Sequence, residues 1–533
     1  MRDGRAALRG SLFVALALAS ACSKRAPAPE ERPAATTTAS ATTAPAPHSL
    51  SLPGPWTDLT PDRAFVRARA EGKLVFLYWG AAWCPPCNDL KSEVFSKPRF
   101  AEMMRDFVPV HLDGDTEDAQ HAAEALSVSA YPTILVLGPE REELLRLNGS
   151  VDLAELDRAL GAVRGKAQSF RAAAARLDEG KPSAEDCSTL AHAAWELLPA
   201  ETWSRTRILA ALRTAIEVCP STMNRERALL AGTLLGLAAS YRHDPTLAEA
   251  TGAARASAVS YLDLIFSNAE TTWAARALVN HRAEALAAWL AADPKDAAYL
   301  AWKAKWLAAA ASLRSREGAS VDVRLAAVAP SIDFFRHENP SGPVPEPLRA
   351  DVLAAALHAD HEAKTSDERY SVVSTASYLL RRVGAHDEAR KMLKAEAERS
   401  DTPHYWYSMI SALEKELGRI EEARVYSQKA REGAGGRATR LQWITNDILF
   451  HAELEGPPPR AYLVAQAEAF YELAFSLPDG FQGRNRTRAE QVTSALAVLK
   501  DDPDYVKLVS RLRDRCSSLP ADAADRCRSC LPR

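Results

Sequence analysis

Between residues 53 and 165 the apolar positions fall into short unbroken runs separated by amphipathic stretches, the texture of buried strands alternating with helices. Thr60-Pro61 predicts a helix start, with a hydroxyl at the N-cap and proline in the first turn, and Gly72 predicts its end. Lys73 to Trp79 reads as a central strand buried on both faces. Gly80 to Cys87 turns the chain, and Asn88 to Phe95 reads as the next helix. Phe107 to Asp113 predicts a second strand, Thr116 to Leu126 a second helix and Thr133 to Leu137 a third strand. Arg141 to Asn148 alternates as a fourth strand, and Asp152 to Val163 reads as a closing helix. These elements form an α/β unit.

Past Arg164 the texture changes to Ala, Leu, Glu and Arg, with many helical runs and few candidate strands. Ala274 to Leu290 predicts one helix, Asp293-Pro294 its break, and Tyr299 to Leu313 the next. Gly384-Ala-His-Asp-Glu-Ala389 aligns with Gly418-Arg-Ile-Glu-Glu-Ala423, so the Gly and Ala recur 34 residues apart (384 to 418). In each copy the glycine turns the chain between two helices, and the alanine lets the helices approach. The period resembles that of tetratricopeptide repeats, which implies an all-α helical-repeat solenoid, clear over about residues 370–432 of a helical stretch 166–533. Such a surface binds extended protein segments. A helical scaffold without a ligand is the alternative.

Composition narrows the class. The chain has 533 residues, beyond the ~250–300 at which single cores stop growing, so at least two folded units are expected. Its 66 basic and 69 acidic side chains give a formal charge of −3 with no long basic block, which argues against nucleic acid as a partner. A hydrophobic content of 47% excludes disorder throughout.

The N-terminus precedes all of this. Arg2, Arg5 and Arg9 flank an apolar run from Leu12 to Leu18 too short to span a bilayer, the pattern of a signal peptide over residues 1–21. Leu18-Ala19-Ser20-Ala21-Cys22 resembles the lipobox of bacterial lipoproteins, with the leucine one place early. The resemblance implies lipidation at Cys22, a membrane anchor through that lipid, and residence in the bacterial cell envelope facing the periplasm, with Ser23 directing the protein to the outer membrane. Residues 22–52, rich in Ala, Pro and Thr, read as a disordered tether reaching at most about 90 Å.

Eight cysteines are too few for a stapled scaffold, so each matters individually. Cys84 and Cys87 stand at the start of a helix, where unpaired N–H groups and the positive end of the helix dipole favour a thiolate. Cys84 is therefore the candidate nucleophile, and Cys87, three residues on, the candidate resolving sulfur, within reach of a disulfide. Pro85 and Pro86 remove two amide donors, which places the expected thiol pKa below ~8.5 but short of the ~3.5 extreme. A closed structural disulfide and half of a zinc site are the competing readings. No HExxH occurs among the 12 histidines, and there is no Gly-rich phosphate loop or GxSxG elbow, so no metal and no cofactor beyond the Cys84–Cys87 disulfide is expected.

Trp83-Cys84-Pro85-Pro86-Cys87 between strand and helix, with Val128-Ser-Ala-Tyr131-Pro132-Thr133 downstream, resembles the thioredoxin-fold family. The resemblance implies a central mixed sheet flanked by helices over residues 53–165, and a cis-Pro132 beside the disulfide. It further implies a substrate groove formed by Trp83, Tyr131 and Pro132, and exchange with protein thiols and disulfides of the cell envelope, served by an unidentified redox partner. Tyr78 stands where many thioredoxins carry a buried aspartate, leaving water or Glu93 as conceivable proton carriers. Cys187 with Cys219 could staple helices, and Cys516 with Cys527 or Cys530 could staple the C-terminal end, one thiol being left over. Cys527-Arg-Ser-Cys530 as a second redox pair is the alternative. The expected function is a membrane-tethered, exported thiol–disulfide oxidoreductase. A non-enzymatic scaffold or peptide-binding lipoprotein is the competing class.

Overall fold

A computed structural model describes residues 51–128, 130–164, 169–291, 293–454 and 459–532. The signal peptide, the lipidation residue Cys22 and the tether up to residue 50 lie outside the described residues.

The first elements are α1 (Pro61–Glu71), β1 (Leu74–Gly80), α2 (Pro85–Leu90), α3 (Pro98–Met103), β2 (Phe107–Asp113), α4 (Glu117–Ala125), β3 (Thr133–Leu137), β4 (Glu143–Asn148) and α5 (Leu153–Val163). Thr60 caps α1 through its hydroxyl, and Gly72 ends it in the left-handed conformation (φ 65°) that glycine adopts without a Cβ clash. The strands form one sheet in the order β2-β1-β3-β4. β1 runs parallel to β2, pairing Leu74 with Phe107 through Gly80 with Asp113, and antiparallel to β3, which is antiparallel to β4. This is the mixed, helix-flanked sheet that the thioredoxin-fold resemblance implies. β1 is central and covered on both sides, which is why its apolar run is continuous. Val75, Leu77 and Trp79 pack towards α1 and α4; Phe76 and Tyr78 pack with Val94, Phe95, Leu156 and Leu160 on the opposite face.

Two local features escape the hydrophobic pattern. The helix read from Asn88 to Phe95 starts earlier, at Pro85, and its second half, Lys91–Phe95, opens into wider π-type turns. α3 is a six-residue helix begun by Pro98, too short to show a period.

Every other described element is a helix, so a large all-helical region follows the sheet. The helix read from Ala274 to Leu290 is corrected to three pieces, Ala269–Ala274, Arg276–His281 and Ala283–Leu290, broken at Ala275 and Arg282. No Gly or Pro marks these breaks. Between them Asn280 is buried and its side-chain amide donates to the Val323 carbonyl (3.2 Å). Gly384 (φ 78°) and Gly418 (φ 71°) each turn the chain between successive helices, while Ala389 and Ala423 are wholly buried.

The helices wrap the sheet rather than trail from it. The Ala194 N–H donates to the Arg146 carbonyl (3.0 Å), covering the open edge of β4. One hydrophobic core runs from Phe76 and Phe95 through Cys84 and Cys87 to Tyr370, Leu380, Trp406 and Trp443. A second core lies within residues 173–334 and a third within residues 441–531. Among the described residues no helix is long and apolar enough to cross a membrane.

Two disulfides staple the helices. Cys187 joins Cys219 (Cα–Cα 5.9 Å), and Cys516 joins Cys527 (5.6 Å); Cys530 is a free, buried thiol. With Cys187 and Cys219 separated by 32 positions in the sequence, chain entropy assigns that bridge about 3–4 kcal/mol. The double variant Cys187→Ser/Cys219→Ser is expected to lose roughly two orders of magnitude of hydrogen-exchange protection in the helix Arg205–Val218. A loss below about tenfold would show the bridge to be energetically idle.

Candidate active site

Cys84 occupies the N-cap of α2 with extended backbone (φ −91°, ψ 114°), so its sulfur turns back over the first helical turn. Pro85 and Pro86 offer no N–H there; the Cys87 amide therefore becomes the donor that meets the Cys84 Sγ (3.2 Å). The two cysteines form a disulfide with Cα atoms 5.2 Å apart. Asn88 fastens the turn, its amide donating to the Ala82 and Cys84 carbonyls, both at 2.9 Å.

The Tyr131–Pro132 peptide is cis. The Tyr131 ring stacks on Trp79 (4.2 Å) and meets the edge of Trp83 (5.5 Å), so strand β1, the turn before α2 and the loop before β3 converge at one end of the sheet. Gly114 is required here, because a Cβ would collide with the Tyr131 ring. The Tyr131 hydroxyl donates to the Gly114 carbonyl (3.1 Å) and accepts from Gln120 and Arg484, both at 2.9 Å. The Arg484 guanidinium also lies over the Tyr131 and Trp79 rings, 4.6 and 5.1 Å from their centroids.

Asp115 is the acid in contact with this constellation. It accepts the Trp83 indole N–H (3.0 Å), and burial pushes it up to about 6 despite that bond. Tyr78, in the position of the missing aspartate, is fully buried; its hydroxyl has no hydrogen-bond partner among the described residues, and burial raises its pKa. Glu93 instead pairs with Lys97 (3.6 Å).

The most consequential feature is cover. Cys84 is 3% exposed, Cys87 2% and Trp83 7%. The helix Ser366–Arg382 lies along α2: the Ser371 hydroxyl donates to the Pro85 carbonyl (2.8 Å), and Asp367 pairs with Lys91 (2.9 Å). From the helix Arg437–Ala452, Trp443 meets Trp83 edge-on (5.7 Å), and Gly436, in the left-handed region (φ 73°), lets the chain pass close against the Asp115 carbonyl. Of the residues singled out from sequence, the structure gathers Trp83, Cys84, Cys87, Tyr131 and Pro132 at this end of the sheet. Cys187, Cys219, Cys516, Cys527 and Cys530 belong to the two separate helical cores. Sequence reasoning missed Asp115, Ser371, Trp443 and Arg484. Asp115 had a signal, an acid just past the end of β2; the others come from hundreds of residues away. Among the described residues no group of His, Cys, Asp and Glu is arranged to hold a metal ion.

Comparison with known proteins finds the same region. Residues 56–139 match the family model described as "Thioredoxin-like". The chain is 33% identical over 95 residues to a protein of Pseudomonas aeruginosa named "Thiol:disulfide interchange protein DsbD 2", covering 17% of this chain and 16% of that protein. It is 30% identical over 109 residues to "Thioredoxin H-type" of Oryza sativa subsp. indica, covering 20% of this chain and 74% of the rice protein. It is 31% identical over 91 residues to "Thioredoxin H5" of Arabidopsis thaliana, 17% of this chain and 65% of that one. The chain thus spans only about a sixth of the length of the DsbD relative.

The raised pKa of Asp115 has a defined sign. A carboxyl whose folded pKa exceeds its unfolded value contributes stability fully present below the unfolded pKa, near 3.9, and lost as pH rises through about 6. Asp115→Asn, which keeps an acceptor for the Trp83 indole, should therefore gain stability over wild type by roughly 1 kcal/mol more at pH 8 than at pH 5. Urea midpoints at the two pH values check this; a constant difference between the proteins contradicts it.

Proposed function

The chain belongs to the thioredoxin-like family through the region of residues 56–139, and from that premise we propose that it is a thiol–disulfide oxidoreductase acting on protein substrates through Cys84 and Cys87. The observation that carries the reading is the Cys84–Cys87 disulfide at the cap of α2, in the same end of the sheet as Tyr131 and cis-Pro132.

In the reduced protein the Cys84 thiolate, favoured by the Cys87 amide and the start of α2, attacks a substrate disulfide. A mixed disulfide forms and one substrate sulfur leaves as a thiolate. The Cys87 thiolate then attacks the Cys84 sulfur, closing the internal disulfide and releasing the second substrate thiol. Two electrons pass to the substrate; the reverse sequence donates a disulfide. Trp83, held by Asp115, and the backbone at Tyr131 line the approach to Cys84. Export and a lipid tether at Cys22 complete the proposal. The disulfides Cys187–Cys219 and Cys516–Cys527 support an oxidising compartment. The helical turns at Gly384 and Gly418 support a tetratricopeptide-like register that positions clients or a redox partner.

The burial of both cysteines favours one competing reading, a scaffold in which the disulfide is permanently closed. Insulin-disulfide reduction separates them. Wild type is expected to turn over insulin, Cys84→Ser to fall to background, and Cys87→Ser to accumulate mixed disulfides on Cys84 detectable by mass. Wild type no faster than Cys84→Ser would remove the oxidoreductase reading.

A further inference from the structure

Thiol–disulfide exchange requires an attacking sulfur to reach one sulfur of the pair. At 2–3% exposure Cys84 and Cys87 offer a protein client no such approach in the structure described. What closes the approach is this chain itself, and it does so at the cysteine turn, at Trp83 and at Tyr131.

Over the turn, the helix Ser366–Arg382 packs along α2. Its Ser371 hydroxyl donates to the Pro85 carbonyl (2.8 Å), and its Asp367 carboxylate pairs with Lys91 just past the end of α2 (2.9 Å). At Trp83, the Trp443 ring of the helix Arg437–Ala452 meets the indole edge-on (5.7 Å) and is itself backed by His404 (4.9 Å). At Tyr131, Arg484 of the helix Gly483–Ala495 donates to the hydroxyl (2.9 Å) and lies 4.6 Å from the ring centroid. Each part of the groove through which a client would engage Cys84 therefore already holds a residue of the helical region. These contacts differ in their access to water. Tyr370 and Trp406 continue the buried core, whereas the Lys91 and Asp367 side chains keep 21% and 22% of their surface exposed. Water already reaches the ion pair while the contact is closed, so parting costs least there.

We propose that the helix Ser366–Arg382, with Trp443 and Arg484 beside it, is an autoinhibitory cover: it fills the client approach to Cys84, the Lys91–Asp367 ion pair and the Ser371–Pro85 hydrogen bond latch it, and the disulfide is attacked only when the helix parts from α2. The inference rests on the redox reading of the pair, because a cover has a use only over a disulfide that exchanges. Weakening the latch raises the open population and with it the rate of every attack on the pair. Asp367→Lys sets two ammonium groups against each other at the latch. Adding Lys91→Asp to the same chain restores the attraction with its signs exchanged.

The test uses the oxidised full chain and a water-soluble phosphine, tris(2-carboxyethyl)phosphine. Its rate of reducing Cys84–Cys87 is followed by alkylation and peptide mapping, so that the other disulfides are scored separately. Wild type is expected to react at least about a hundredfold more slowly than an oxidised Trp-Cys-Pro-Pro-Cys peptide, which has no cover. Asp367→Lys is expected to react at least about fivefold faster than wild type, and the exchanged pair within about twofold of wild type. A wild type as fast as the peptide, an Asp367→Lys chain at the wild-type rate, or an exchanged pair as fast as Asp367→Lys alone overturns the proposal. Should Asp367→Lys lose its fold by circular dichroism, Ser371→Ala decides, since it removes a single hydroxyl. An acceleration of at least about threefold is then expected, and a wild-type rate sinks the latch. Insulin turnover with dithiothreitol keeps the two readings apart. Phosphine rates as expected, with no insulin turnover by wild type or Asp367→Lys, reject the oxidoreductase and keep the cover. Insulin turnover by wild type that Asp367→Lys does not raise rejects the cover alone.

Discussion

The helix Ser366–Arg382 packs on α2, and its Ser371 hydroxyl donates to the Pro85 carbonyl beside the cysteines. Much of the remaining architecture answers to that contact. On its inner side α2 packs into the sheet face formed by Phe76, Tyr78, Ile134 and Val136; on its outer side the same core continues into Tyr370, Leu380 and Trp406. A helix of six residues gains little from its own hydrogen bonds and depends on burial for its order. Here it is buried from both sides, and the helix Ser366–Arg382, nearly 300 residues downstream, covers the turn that Cys84 caps. The sheet unit and the helical region therefore share their central packing rather than standing as separate beads.

The contact around the cysteines is not satisfied throughout. Trp406 Nε1, Trp443 Nε1 and Asp322 Oδ1 are shielded from water and have no hydrogen-bond partner among the described residues, as is true of Tyr78 Oη and Trp79 Nε1 inside the sheet unit. Each such group forfeits roughly 1–3 kcal/mol relative to a hydrated one. Apolar burial must exceed those penalties for the surfaces to stay together, and it does so by less than a fully apolar contact of the same size. A joint made in this way is held less tightly than a fully satisfied one of the same size.

Much of the sheet unit was legible because local rules and tertiary environment agree there. Phe107–Asp113 and Thr133–Leu137 are strands with the very bounds their apolar runs predict, and Thr60 and Gly72 punctuate α1 as their chemistry requires. Agreement fails where a distant partner decides. The breaks at Ala275 and Arg282 fall in a stretch of good helix formers, and Asn280 reaching Val323 is invisible to any window of sequence. The Cys84-Pro-Pro-Cys87 spacing and its place between strand and helix could be read directly, since both are local. What surrounds it could not. Ser371, Trp443 and Arg484 carry no motif, and their residue types are those of ordinary helix faces; only the folded chain gives them a role. Even Asp89, three residues past a proline pair, reads as a helical surface acid, whereas the fold buries it against the Ser150 hydroxyl.

Shelter also has a chemical sign. A disulfide is neutral and apolar, whereas the reduced form of the pair carries a thiolate whenever it is competent to react. Placing that charge in the closed contact costs desolvation that the disulfide does not incur. The covering helices thus fit the oxidised pair better than the reduced one. By linkage, whatever free energy closure contributes to the disulfide form must appear as a shift of the redox equilibrium towards that form, and reduction must in turn weaken closure by the same amount. Cover and redox state of the pair are thereby coupled.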